Sequence, residues 1–193
     1  MKKQLIFATG NPNKVRETGE ILKDFMQVIS MKDIGATEDI PETMPTLEGC
    51  ALQKARYLAK NYGVDCFSED TGLEVDALEG APGVITARYA GEAKNAEANM
   101  ALLLKNLGDK PNRGAQFRTI IALILDGEEH LFEGTVRGQI THQKMGSGGF
   151  GYDPVFQPDG YDTTFANLPA AVKNGISHRS RALQKLVDFL KNR

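Results

Sequence analysis

The chain has 193 residues, 23 Lys and Arg against 25 Asp and Glu, 41% hydrophobic residues and two cysteines. At about 150 residues per domain this is one domain, residues 1–193, long enough to bury a core without disulfide or metal staples. A net charge of −2 provides no general positive field for a nucleic-acid polymer or an anionic membrane. Any contact with an anion must come from a local cluster.

No apolar run approaches the ~20 residues that span a bilayer. Lys2 and Lys3 imitate the start of a secretion signal, but the apolar stretch Leu5–Ala8 yields to Thr9-Gly10-Asn11, too soon for a hydrophobic region of about 7–15 residues. A cytoplasmic location is expected. Cys50 and Cys66 lie in no C-x-x-C or zinc-ligand spacing and read as small core thiols.

Gln4–Ala8 reads as a strand that turns at Thr9-Gly10-Asn11 into a helix with Val15, Leu22 and Phe25 at helical spacing. Val28–Met31 is a second strand, followed by a proline-bearing loop from Lys32 to Pro45. Thr46 is a candidate cap for a helix with Leu47, Ala51, Ala55, Leu58 and Tyr62 on one face and a Gly63 stop. Val64–Ser68 reads as a third strand. From Glu69 to Gly91, carboxylates and glycines around Ala81-Pro82-Gly83 predict turns. Asn95–Leu107 returns to helix. Alternation from Phe117 to Leu125, the Asp126-Gly127 turn and a partner run through Val136 predict a long hairpin. Ser177 is a candidate cap for a last helix with Ala182, Leu183, Leu186, Val187 and Leu190 facing the core. Helices alternating with strands around a hairpin indicate an α/β mixed sheet of unspecified strand order.

Four segments carry candidate chemistry. Thr9, Gly10, Asn11, Pro12, Asn13 and Lys14 lie where a strand feeds a helix, a junction whose outward N–H groups, dipole and nearby ammonium favour phosphate. The segment lacks the second Gly and the Lys-[Ser/Thr] pair of a Walker A loop. Ser68-Glu69-Asp70-Thr71-Gly72 places paired carboxylates at a strand end, suited to Mg²⁺, which takes one or two carboxylates with water and phosphate oxygens. Glu42 is a possible remote ligand, whereas Glu74 and Glu79 read as surface. Gly146–Asp153 contains G-x-G-x-x-G, but no helix follows, which argues against a dinucleotide fingerprint. Phe150 there offers a face for base stacking or, equally, a core side chain. Lys173 and Ser177-His178-Arg179 place donors before and at a helix start. His130 and His142 read as structural.

In order and spacing, these four segments, with Gly80–Gly83, Ala87–Tyr89 and Lys173, resemble the inosine/xanthosine triphosphate pyrophosphatase family. The resemblance implies a long mixed sheet, two lobes with a central cleft, a homodimer and Mg²⁺ dependence. It also implies hydrolysis of ITP, dITP and XTP to the monophosphate and pyrophosphate. Thr9–Lys14 would hold the triphosphate, Asp70 would be base and metal ligand with Glu42 as the second ligand, and Thr71 would touch substrate. Phe150, Gly151, Tyr152, Asp153, Lys173, His178 and Arg179 would surround the nucleoside, His178 and Arg179 donating to a 6-oxo group. Relatives often carry Glu-Asn where this chain has Gly49-Cys50, so no ligand role is carried over to that helix start or to Lys54. A related enzyme for modified pyrimidine triphosphates and a nucleotide sensor that does not hydrolyse remain open. An RNA-binding module does not fit, because no basic stripe with interleaved aromatics is present.

Overall fold

The computed structural model describes residues 3–193; Lys2, read above against a secretion signal, lies outside them. Strand β1 (Lys3–Phe7) leads to helix α1 (Pro12–Leu22), where Asn11 Oδ1 accepts from the N–H groups of Asn13 at 3.0 Å and Lys14 at 3.4 Å. Pro12 suits the first helical position because its missing N–H would have no helical partner there. Phe25 lies beyond the end of α1 and does not extend its face; the ring is exposed, with the Lys191 ammonium 4.3 Å from its centre. Strand β2 (Met26–Ser30) pairs parallel with β1.

Helix α2 (Leu47–Tyr62) starts at Thr46, whose hydroxyl accepts from Gly49 N–H at 3.0 Å, and stops at Gly63 in the left-handed conformation. Strand β3 (Cys66–Val75) is longer than the expected Val64–Ser68 and absorbs Glu69, Asp70, Thr71 and Gly72, which composition reads as turns. Carboxylates are depleted from strands because burial is costly, and here each has a cationic partner that offsets that cost. The turns begin only at Asp76. Strand β4 (Pro82–Gly83) pairs antiparallel with β3, and helix α3 (Ala96–Leu107) is capped by the Asn95 side chain. Strands β5 (Gly114–Leu125) and β6 (Glu128–Ile140) are joined by Asp126 and Gly127, both at positive φ as a tight hairpin turn requires. Strand β7 (Phe156–Pro158) pairs antiparallel with β6. Helix α4 (Ala170–Ile176) is unanticipated: Pro169 opens it and Ser177 ends it, immediately before α5 (His178–Lys191).

Among the described residues seven strands form one mixed α/β sheet in the order β2-β1-β3-β5-β6-β7, with β4 on β3. The chain divides into two compact units. The first comprises the chain up to Asp70, Thr119–Gly134 and Arg179–Arg193; the second comprises Thr71–Arg118 and Thr135–His178. Each has its own core. In the first, Phe7 and Phe67 stack with ring centres 4.4 Å apart, among Leu22, Ile121, Leu123 and the α5 residues Leu183 and Leu186. In the second, Leu73 and Val75 of β3 pack with Leu103, Leu107, Phe117, Phe156 and Phe165. Truncating one such ring to Ala costs about 3–5 kcal/mol.

Candidate active site

In the first unit, β3 and the helices α1, α2 and α5 bring together a network of buried charges. Successive strand residues point to opposite faces, so Glu69 and Asp70 do not form the paired ligand set read from their adjacency. Glu69 accepts from Arg179 Nε at 2.8 Å and Nη2 at 2.7 Å, and its Oε1 lies 3.2 Å from Lys14 Nζ. Arg179 Nη1 also donates to Glu17 of α1. Burial alone would raise the Glu69 carboxyl, but the charges of Arg179 and Lys14 and their hydrogen bonds hold it well below the usual carboxylate range.

Asp70 belongs to a second group. Lys54 Nζ donates to Asp70 Oδ1 at 2.7 Å and to Glu42 Oε1 at 2.8 Å. Burial pushes the Asp70 carboxyl above its ordinary range, against the pull of Lys54 and then Lys14. Burial would lower the Lys54 ammonium, but Asp70 and then Glu42 outweigh it and raise its pKa. Glu42 and Asp70 thus converge on one cation. Among the described residues no cluster of three or more His, Cys, Asp or Glu forms a metal cage. Two carboxylates nonetheless suit Mg²⁺, which fills its remaining positions with water and phosphate oxygens.

The Thr9–Lys14 turn is open on one side, with Gly10 exposed and space beside its Cα. The N–H groups of Asn13 and Lys14 are already engaged by the Asn11 cap, and Asn11 N–H reaches Thr9 Oγ1 at 3.2 Å. Pro12 has no N–H and Val15 N–H is engaged by the Asn11 carbonyl, so a phosphate on this turn would rely on the Lys14 ammonium rather than on the helix-terminal N–H groups.

In the second unit, Asp153 Oδ2 accepts from Lys173 Nζ at 2.6 Å and from Phe150 N–H at 2.9 Å. The Lys173 ammonium stands 5.0 Å from the Phe150 ring centre and 5.7 Å from that of Phe165. Phe150 is half-buried. Gly149, at φ 71°, is required: a Cβ there would lie 2.0 Å from Asp153 Oδ2. Gly151 has φ 62°. Tyr152 differs from the expectation that it faces a nucleoside: its ring joins the core and its hydroxyl donates to the Thr86 carbonyl at 2.8 Å. An aromatic side chain that fills a core gap and satisfies its hydroxyl on main chain is stable there. Only a single 3₁₀ turn, Asp153–Val155, follows the glycines, and no α-helix begins there. The buried His178 ring stacks on Phe117 with centres 4.7 Å apart. Thr71 is half-buried on β3. Of the remaining acidic residues, Glu74 accepts from Gln116 at 2.7 Å, so it is not bare surface.

Motif reading missed Glu17, and it named Lys54 without assigning it a role or the partners Asp70 and Glu42. Lys54 falls in the apolar stripe of α2 beside Ala51, Ala55 and Leu58, and a charge on such a stripe needs a buried partner. Arg179 likewise precedes Ala182 and Leu183 on the core face of α5.

The model of the Ham1 family matches residues 5–189. This chain belongs to the Ham1 family. It is 52% identical over 187 residues to the dITP/XTP pyrophosphatase of Flavobacterium johnsoniae, covering 97% of each chain. It is 53% identical over 188 residues to that of Porphyromonas gingivalis, again with 97% of each chain covered. The Ham1 protein of Staphylococcus aureus superposes with a TM-score of 0.88 at 40% identity, covering 98% of this chain and 99% of that one. The HAM1 protein of Coxiella burnetii gives a TM-score of 0.90 at 34% identity, covering 99% and 100%. The α/β fold expected from the motifs is therefore that of the Ham1 family. Among the described residues no helix is long and apolar enough to cross a membrane.

Proposed function

We propose that this Ham1-family chain hydrolyses dITP, ITP and XTP to the monophosphate and pyrophosphate, removing deaminated purines from the cytoplasmic nucleotide pool. The observation that carries this reading is the buried Asp70–Lys54 pair joined by the half-buried Glu42, in a chain similar almost end to end to proteins named dITP/XTP pyrophosphatase.

Asp70 is the base. It orients a water molecule and takes its proton as the oxygen bonds to the α-phosphorus. The bond from that phosphorus to the bridging oxygen breaks, and pyrophosphate leaves. A carboxylate with a pKa raised by burial is a stronger base than an exposed one. Lys54 holds it in place. Lys14, oriented by Glu69, offsets phosphate charge near the Thr9–Lys14 turn. Asp70 and Glu42 would hold Mg²⁺, which when bound neutralises phosphate charge and makes the phosphorus more electrophilic.

In the second unit, Phe150 supplies a face for the base while Asp153 and Lys173 fix the loop that presents it. His178 donates toward a 6-oxo group; adenine presents an amino group at that position and leaves the donor unpaired, a mismatch that can cost up to about 10⁴-fold. In the first unit Arg179 does not donate to the base: it grips Glu69, the carboxylate that orients Lys14. A homodimer, implied by the resemblance, is checked by light scattering.

The test is a panel of triphosphates with Mg²⁺ and a pyrophosphate readout. dITP, ITP and XTP are expected to turn over at least about 100-fold faster than ATP or GTP. Equal turnover of all five contradicts the reading.

A further inference from the structure

Residues 36–46, the segment that carries Glu42, are fastened along α2 at several points. The Glu38 carboxylate accepts from the Tyr62 hydroxyl at 2.8 Å and the Tyr57 hydroxyl at 3.2 Å. Gln53 grips Thr43 twice: Oε1 accepts from Thr43 N–H at 3.0 Å and Nε2 donates to Thr43 Oγ1 at 2.9 Å. Cys50 Sγ donates to the Met44 carbonyl at 3.3 Å. Met44 packs so closely over Gly49 that a Cβ on that glycine would lie 2.7 Å from Met44 Cβ.

These contacts bracket one side chain. Thr43 follows Glu42, and Gln53 precedes Lys54, the residue that Glu42 meets. A side-chain amide that binds both the main chain and the hydroxyl of one residue fixes the torsions next to it, and so the direction in which Glu42 leaves the chain. The Gly49-Cys50 pair, a departure from the Glu-Asn expected by resemblance, has a use here: a bulkier residue at position 49 would lift Met44 from the helix.

We propose that Gln53 and Gly49 are positioning residues that hold Glu42 preformed as a divalent-cation ligand beside Asp70. The proposal rests on the reading of Glu42 and Asp70 as the metal ligands. Groups that orient a metal ligand without touching the metal are typically worth about 10–100-fold in affinity. The two residues act by separate means, one through hydrogen bonds and one through space, so their variants fail independently.

The test titrates Mn²⁺ into the full chain without nucleotide, read by electron paramagnetic resonance. It is repeated for Gln53→Ala, Gln53→Glu and Gly49→Ala, with melting temperatures and the Mg²⁺ concentration for half-maximal dITP hydrolysis alongside. Gln53→Ala and Gly49→Ala are expected to weaken Mn²⁺ binding about 10-fold and to raise the half-maximal Mg²⁺ concentration equally, with kcat at saturating Mg²⁺ little changed. Gln53→Glu keeps an acceptor for Thr43 N–H and recovers part of the loss. Gly49→Ala gains helix propensity but must push Met44 aside, so at most a modest drop in melting temperature accompanies its loss of metal binding, with kcat at saturating Mg²⁺ retained. The proposal is overturned if the parent chain binds no Mn²⁺ without nucleotide, or if both alanine variants bind it as the parent does. It is equally overturned if the variants lose stability and kcat together at unchanged metal dependence. A parent chain that binds Mn²⁺ but leaves dITP intact contradicts the proposed function instead, and the Mn²⁺ titrations still decide the positioning.

Discussion

Lys54 and Asp70 form a buried ion pair, Nζ to Oδ1 2.7 Å, with side chains 6% and 10% exposed. The same nitrogen meets Glu42 at 2.8 Å, so one ammonium gathers two carboxylates that would otherwise repel each other. Replacing Lys54 by Met removes the charge and keeps much of the volume. The expected result is a loss of about 100-fold in kcat/KM for dITP. The acid limb of the rate profile also moves to higher pH, because Asp70 loses the partner that favours its ionised form. A pH series of kcat/KM for parent and variant checks both; an unmoved limb contradicts the role assigned to Lys54.

Arg179 is 1% exposed and spans Glu69 and Glu17. Removing one partner from such a buried group leaves charge uncompensated, at a cost of about 3–5 kcal/mol. Urea unfolding of Arg179→Ala should show that loss. Arg179→Lys should recover little of it, because an ammonium cannot reproduce the two-nitrogen grip on Glu69. A loss below about 1 kcal/mol in Arg179→Ala contradicts the anchor role.

Much of the architecture was legible in local pattern. The cap expected at Thr46 is present, the helices expected after Asn11 and from Asn95 are capped by those two side chains, Ser177 ends α4 just before α5, and Asp126-Gly127 marked the hairpin. The strand order was not legible, since it depends on pairings distant in sequence. Nor was the reach of β3 through Glu69 and Asp70, because the partners that make their burial tolerable, Arg179 on the distant α5 and Lys54 on the preceding α2, are set by packing and not by the local pattern of the strand. Helix α4 is seven residues long and carries little periodic signal. Of the candidate site, Asp70, Glu42 and the Thr9–Lys14 turn were named from motifs, whereas Glu17 and the ion pairs of Lys54 emerged only from packing.

Glu69 makes stability depend on pH in a defined direction. Its folded pKa lies below the ordinary value of 4.5, so its contribution is present above that pH and is lost as pH falls toward the folded value. Unfolding of the metal-free chain in chelator should therefore show stability falling on the acid side of pH 4.5, and Glu69→Gln should flatten that fall while lowering stability at pH 7. An acid limb of unchanged steepness in the variant would remove Glu69 from this account.

Cys66 is fully buried, its Sγ 3.3 Å from the Ala55 carbonyl, and burial pushes the thiol up to about 12. Burial also raises Cys50. The thiolate is the reactive form, so neither cysteine of the folded chain should react with a thiol reagent at pH 8, while both should react in urea. Rapid labelling of the native chain contradicts the packing around α2 and β3.

The most direct test of the central claim is hydrolysis of dITP with Mg²⁺ in ¹⁸O-labelled water, followed by mass spectrometry of both products. Attack by water at the α-phosphorus predicts one labelled oxygen in dIMP and none in pyrophosphate. Asp70→Asn is expected to slow that release by about 10³-fold while nucleotide binding persists. Label in pyrophosphate or free phosphate, or an Asp70→Asn variant that works at the parent's rate, would contradict the account.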